Sequence, residues 1–506
     1  MSSSVSLRKP NSKSSSNRRK PKSAGGLLGF DLLYQLTYLS AIAAAGIPRN
    51  QIFRLASKLP CSTAHYFEEI DRVAQTMNYQ YAEACRIVGE SVKSQEVKSL
   101  LLRLSSSLAT GEPQAEFMNR EAHVVAEGYS NLYDRQLEAL KKWTDAFIAL
   151  MISVALIIVV ATVSTVIYDM GSTFVVGLVV SMLLISGLGS WIIYRTAPRE
   201  LKTLSGPEGE RSQALPRRML LLLVPAAVTV GAVLFLIGMS LGWVMVWGGV
   251  FLVPIGITAW HLDNKVAKYD EDISTFLRAL GATASAIGST PTEALGRMDM
   301  RSLGSLAPAV KRLHTVLRAG IKPELCWRRF VAETGSEVIS RSVRVFQDGI
   351  NLGGEAEEVG SRASLLATKV TFLRARRRLV SATFGWLSLI MHTAIVFLLM
   401  FIIEIVSGFA EVVAASSVAT QASGESMPIT TMLSFNFGNL EFLRWLMVPV
   451  VAVLSMVNAV TPKLVDGSYS HKLFFYLGAS MLAAGAGLVL APKLAASIFN
   501  MAPASF

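Results

Sequence analysis

Apolar positions along the chain collect into seven long runs, at about residues 146–168, 174–194, 219–240, 242–260, 384–409, 444–461 and 473–491. Each is close to the roughly 20 residues that a helix needs to cross a bilayer. The first, AFIALMISVALIIVVATVSTVIY, has no ionisable group before Tyr168. Only Leu241-Gly242 separates the third run from the fourth, which predicts a tight helical hairpin. Trp243, Trp247 and Trp260 in this pair suit interfacial depths. Outside the runs the periodicity is also helical. Val97, Leu101, Leu104 and Leu108 form one stripe, Gly111 is placed to end that helix, and Pro113 sits where a first turn tolerates it. From about Gln114 to Tyr168 nothing but Gly128 interrupts the pattern, and the same holds from about Glu355 to Phe409. A helix of the first length reaches about 80 Å. Strand signals are absent, so the pattern predicts an all-α polytopic membrane protein with about seven transmembrane helices.

The same pattern occurs twice. AAAGIPRNQIFRLAS at 43–57 matches SAIGSTPTEALGRMD at 285–299: an apolar helix, a glycine turn, a proline, then a second helix. ATGEPQAEF at 109–117 likewise matches NLGGEAEEV at 351–359. Gly46 to Gly111 and Gly288 to Gly353 are both 65 residues apart. Each copy leads into a charged helix that continues as a span. The expectation is two homologous cytoplasmic helical-bundle domains.

Charge supplies sidedness. Only 17% of the 506 residues are charged and the mean hydropathy is +0.44, unlike a soluble enzyme, for which roughly 25% charged is usual. The net charge of +12 comes from segments beside spans, which the positive-inside rule explains and nucleic-acid binding does not. Arg195, Arg199, Lys202, Arg211, Arg217 and Arg218 lie in one linker, whereas no Lys or Arg occurs from Leu379 to Leu443. Arg444 and Lys493 are exceptions near helix ends, where snorkelling is cheap. The N-terminus is therefore expected inside and the C-terminus outside, in the cell membrane. The predicted order is a disordered basic tail (1–26), a first cytoplasmic domain (27–145), two spans (146–194), a cytoplasmic linker (195–218), two spans (219–260), a second cytoplasmic domain (261–383), and three spans with an outer loop at 410–442 (384–506). The segment GGLLGFDLLYQLTYLSAIAAAG has three readings: part of the first domain, a signal, or an extra membrane segment. Cys61, Cys85 and Cys326 share no metal-type spacing and imply no disulfide framework.

The duplicated unit, with Gly46, Thr110-Gly111-Glu112-Pro113, Gly288 and Leu352-Gly353-Gly354 as its motif residues, resembles the type II secretion F-domain family. These are membrane platform proteins of type IV pilus-like machines. The hairpin between the copies and the two spans after the second are closer to the archaeal archaellum and pilus branch than to the bacterial one. The second copy departs from the pattern in lacking a proline after Gly353-Gly354. The resemblance covers roughly 27–409. It implies a non-enzymatic homodimer that anchors a hexameric cytoplasmic secretion ATPase, beside which pilin-like or archaellin subunits leave the bilayer. Membrane lipids are further partners, and no cofactor is implied.

Candidate docking residues are basic. Arg374, Arg376, Arg377 and Arg378 precede one span, and Lys141 and Lys142 precede another. They suit an electrostatic landing surface for an acidic ATPase patch, or equally positive-inside anchoring on phospholipid. Lys311, Arg312, Arg318, Arg328 and Arg329 lie farther from the membrane, as a docking site or a solvated helix face. His392 and Glu404 are ionisable groups inside a span, hence functional candidates, although twelve residues of helix separate them. No P-loop, HExxH, CxxC or GxSxG is present, and no aspartate lies inside a span, so neither ATP hydrolysis nor peptidase chemistry is indicated. A secondary transporter is the competing class. Against it, much of each repeat is polar, and no pair of broken helices marks a midplane site.

Overall fold

The computed structural model describes residues 25–168, 172–204, 214–423 and 440–501. The tail up to residue 24, the connection 169–171, the linker stretch 205–213 and the loop stretch 424–439 lie outside the described residues. Five short helices come first: α1 (Gly25–Ala43), α2 (Arg49–Ala56), α3 (Ala64–Thr76), α4 (Tyr81–Ser91) and α5 (Gln95–Thr110). α6 (Gln114–Tyr168) runs unbroken through Gly128 into the first apolar run, and α7 (Ser172–Thr196) and α8 (Ala214–Leu236) follow. α9 (Leu241–Ile287) joins the fourth run to a second set of short helices. These are α10 (Pro291–Arg297), a 3-10 turn (Met300–Leu306), α11 (Ala307–Arg318), α12 (Pro323–Thr334) and α13 (Glu337–Asn351). α14 (Ala356–Ser423), α15 (Leu440–Asp466) and α16 (Leu473–Met501) complete the chain. Seven helices are long and apolar enough to cross a membrane, and no strand occurs among the described residues.

Two boundaries differ from expectation. The α8–α9 hairpin turns at 237–240, where Gly238 has φ +83°, and Leu241-Gly242 form the start of α9. Residues 410–423, expected in a loop, continue α14 because nothing there interrupts an alanine- and valine-rich helix.

α1 resolves its three readings. Phe30, Leu33, Tyr34, Leu39 and Ile42 are buried, and so are Asp31, Gln35, Thr37 and Ser40. A helix apolar on all sides is enclosed by protein or lipid. Here the polar groups decide, because each has a protein partner. The Gln35 amide donates to Ala56 O at 3.0 Å, and Asp31 accepts from Ser62 N at 2.8 Å and from Arg341 Nη1 at 2.7 Å. α1 is the core helix of the bundle, packed against α6, α13 and α14.

The repeat is visible in backbone and contacts. Gly46, Gly111, Gly288 and Gly353 all have left-handed φ (+69°, +75°, +64° and +92°), as helix-ending glycines do. The Asp31–Ser62 contact recurs as Asp272, which accepts from Ser305 N at 2.7 Å. Along α6 and α14, Lys369 pairs with Glu127 and Arg376 with Asp134; both pairs are 242 residues apart, the same separation as Gly46–Gly288 and Gly111–Gly353.

Among the spans, α9 and α16 approach most closely at a heptad of glycines. A Cβ on Gly249 would lie 2.8 Å from Gly478 O, one on Gly485 2.7 Å from Gly242 O, and one on Gly256 2.2 Å from the Phe475 backbone. Small residues let backbones meet where no hydrophobic effect drives helices together.

Candidate coupling site at the base of the long helices

Where the long helices leave the bundle, a buried ionic cluster joins six elements. α14 contributes Arg374 and Arg377, three residues apart and so on one face. Arg374 donates to Glu200 (3.1 Å), Asp270 (2.8 Å) and Leu201 O (2.8 Å). Arg377 donates to Pro198 O (2.6 Å), Val465 O (2.9 Å), Leu464 O (3.2 Å) and Glu200 (3.2 Å). Glu200, on the segment after α7, also accepts the Tyr133 hydroxyl from α6. Asp270 is on α9, and Leu464 and Val465 are near the end of α15. Lys202 reaches Asp263 at 2.6 Å, and Lys472, before α16, reaches Asp466 at 2.5 Å. Leu204 N bonds Gly335 O at 3.0 Å, and Glu337 N bonds Lys202 O at 3.3 Å, tying the segment to the start of α13.

The electrostatics follow from burial. Desolvation alone would raise the Glu200 carboxyl, but Arg377 and Arg374 outweigh it and hold the group below the usual carboxylate range. Burial pushes Asp270 up despite Arg374, and pushes the Tyr133 phenol far up, with Glu200 adding to it. Gly467 admits Arg377. Its φ is +61°, and a Cβ there would lie 2.3 Å from the Arg377 guanidinium carbon.

A second cluster joins the two bundles. Arg341, buried on α13, pairs with Asp31 on α1 and with Glu337 at 2.9 Å. Its guanidinium lies over the Phe30 and Tyr34 rings at 4.4 and 4.9 Å. Buried salt bridges of this kind add little net stability, but removing one partner strands the other.

These positions revise the basic-cluster reading. Arg377 is buried and Arg374 keeps only 10% of its side chain exposed, and both direct their donors to internal acceptors and away from a landing surface. Arg376 is exposed and paired with Asp134 at 2.7 Å, and Arg378 lies 3.9 Å from Glu271. Lys141, Lys142, Lys311, Arg318, Arg328 and Arg329 are exposed, and Arg312 pairs with Glu333. The sequence did carry a signal for the burial. Ala363, Leu366, Ala367, Val370 and Leu373 are buried, and that stripe extends at helical spacing to 377 but misses 376 and 378. Glu200, Asp263, Asp270, Asp466 and Lys472 were missed; their partners are remote in sequence.

The intramembrane groups are also placed. His392 is fully buried: Nδ1 accepts from the Asn458 amide at 3.0 Å, so Nε2 carries the proton and faces Ser480 O at 3.2 Å, with the Ser455 hydroxyl at 3.1 Å. This knot binds α14, α15 and α16. Glu404 pairs with Arg444 at 2.8 Å. Gly354 packs against Gly349 O, 2.9 Å from where its Cβ would be. Pro113 immediately precedes α6, and its carbonyl accepts from Phe117 N at 3.1 Å. Among the described residues no group of His, Cys, Asp and Glu is placed to hold a metal ion.

Seven helices long and apolar enough to cross a membrane, three of them (α6, α9 and α14) continued into the helical bundles, define a polytopic all-α membrane protein. Residues 36–162 match the family described as Type II secretion system (T2SS), protein F. Two curated relatives, both named Flagella accessory protein J, are similar to it. One, from Methanocaldococcus jannaschii, is 23% identical over 409 residues, covering 77% of this chain and 70% of the relative. The other, from Methanococcus voltae, is 22% identical over 305 residues, covering 55% of this chain and 52% of the relative. No solved structure matches the chain. The resemblance to the archaeal filament-platform branch is upheld.

Proposed function

We propose that the chain is the non-catalytic membrane platform of an archaellum or archaeal type IV pilus, anchoring a cytoplasmic ATPase and coupling its strokes to the insertion of filament subunits. The observation that carries this reading is the pairing of continuous helices with a buried clasp. α6 and α14 each pass from bundle to span without a break, and Arg374 and Arg377 tie α14 to α6, α9, α15 and the segment after α7. A load on either bundle is then transmitted to several spans together, because no flexible joint interrupts the path.

The bundles face the cytoplasm in this proposal, with the N-terminus inside and the C-terminus outside, and two chains act together beneath the filament. The exposed cations Lys311, Arg318, Arg328 and Arg329 supply the docking face, with exposed Ile321 and Leu325 between them adding apolar contact. Co-purification of the secretion ATPase of the same filament system tests it. Reversal of these four charges is expected to weaken capture about tenfold or more and to flatten its salt dependence, whereas reversal of Lys141 and Lys142 serves as the control. Undiminished capture by the fourfold variant sinks the docking assignment. Reporter fusions at residues 140 and 330 that report opposite sides of the membrane sink the platform reading itself.

A further inference from the structure

Beside the clasp is a cavity of about 410 Å³ that the filament-platform reading does not use. Its walls are the ends of two spans, α7 through Tyr194 and α15 through Lys463, and the turn carrying Tyr469 and Ser470. Arg199 and Arg377 close it from the segment after α7 and from α14. We propose that this cavity binds the headgroup phosphate of an anionic phospholipid.

The charge inventory points to an anion. Arg377 and Lys202 are neutralised by Glu200 and Asp263. The Lys463 side chain has no hydrogen bond or ion pair among the described residues, and the Arg199 side chain has only the Tyr194 ring, 5.8 Å from its guanidinium carbon. Glu200, the one acidic residue lining the cavity, is engaged by Arg374, Arg377 and Tyr133. The cavity therefore keeps two cations in excess. Among the described residues the buried Tyr469 hydroxyl has no hydrogen-bond partner, and burial pushes its phenol up to about 12, so it remains a donor. A buried donor without an acceptor costs about 1–3 kcal/mol, and a phosphate oxygen would relieve that cost.

Depth points to lipid as the source. The neighbouring Arg195 guanidinium stacks on the exposed Trp191 ring at 4.7 Å, and Tyr194 is exposed on the same helix end. Aromatic and basic residues at a span terminus mark the headgroup level. A headgroup there would bridge the segment after α7 to the α15–α16 turn, adding a removable link to the clasp. This inference stands independently of any filament partner.

The test uses the full chain in detergent, titrated with dioleoylphosphatidylglycerol, dioleoylphosphatidylcholine or inorganic phosphate, with bound lipid counted by native mass spectrometry. Tight binding of one phosphatidylglycerol is expected, weakened about 30-fold in the Arg199→Gln/Lys463→Gln double variant, since each basic residue at the surface is worth about a fivefold factor. Neither side chain has a polar partner among the described residues, so the variant should fold; an unchanged Leu204 exchange rate in lipid-free detergent checks that. A Lys311→Gln/Arg318→Gln variant should bind like the parent. Equal affinity of the double variant overturns the proposal, as does equal binding of phosphatidylcholine. Saturation by inorganic phosphate at the same site with no lipid retained assigns it to a free anion and overturns the lipid source.

Discussion

Replacing Arg377 by glutamine should open the clasp without unfolding the bundles. Glutamine is too short to reach Pro198 O, Leu464 O and Val465 O, which Arg377 now holds at 2.6, 3.2 and 2.9 Å. Glu200 keeps Arg374 and Tyr133, so no buried carboxylate is stranded. The loss is the desolvated carbonyls, at about 1–3 kcal/mol each. Members of one network do not add fully, so about 3–5 kcal/mol in all is expected from the three carbonyls. At about 1.4 kcal/mol per decade, the open population rises about 10²- to 4 × 10³-fold. Hydrogen exchange reports this directly, because the Leu204 amide is protected by Gly335 O and exchanges through local opening. Peptides spanning 197–204 should exchange at least about 100-fold faster in Arg377→Gln. Arg376→Gln breaks an exposed pair with Asp134, worth about 0–1 kcal/mol, and an exposed stack on the Phe372 ring, neither touching the segment after α7, and should leave the rate unchanged. Equal exchange in the two variants would refute the claim that Arg377 holds the segment.

Glu200 should make the clasp acid-sensitive. Its carboxyl is depressed in the folded state, so its contribution is fully present above the ordinary value of 4.5 and is lost as pH falls through the lower folded value. Thermal unfolding at pH 7 and at pH 3.5 should show a loss that Glu200→Gln reduces, the remainder coming from other depressed carboxyls such as Asp466. Gly256→Ala would bring a Cβ within 2.2 Å of Phe475 and should separate α9 from α16, seen as loss of the monodisperse peak on size exclusion. Gly128→Ala meets nothing within 4 Å and should raise the thermal midpoint, since alanine is favoured over glycine by about 1 kcal/mol in a helix. His392→Ala should lower thermal stability by orphaning Asn458 and Ser480, with no change in the voltage or proton dependence of assembly; a change confined to proton dependence would reinstate a transport role.

Much of the fold was legible because the bilayer imposes length and the helix imposes period. α6 could be traced to Tyr168 from the absence of breakers alone. α1 could not be assigned, because a buried helix and a membrane segment share one composition; only the partners of Asp31 and Gln35, on other elements, distinguish them. The clasp was the least legible part. Arg374, Arg376, Arg377 and Arg378 read as one basic run, and their separation into two inward and two outward residues depends on Glu200 and Asp270, 174 and 104 residues from Arg374. The glycine heptad of α9 became meaningful only once α16 lay against it.

The paired contacts of α6 and α14 have one further consequence. Glu127 and Lys369 are the same position of the duplicated unit, as are Asp134 and Arg376. Two identical chains related by a twofold axis would set each such position against itself, acid facing acid or base facing base. Tandem fusion removes that constraint, because each half can evolve separately and opposite signs can meet at the axis. The face by which two single-unit ancestors would have joined is thus closed inside one polypeptide. Any second molecule must attach elsewhere.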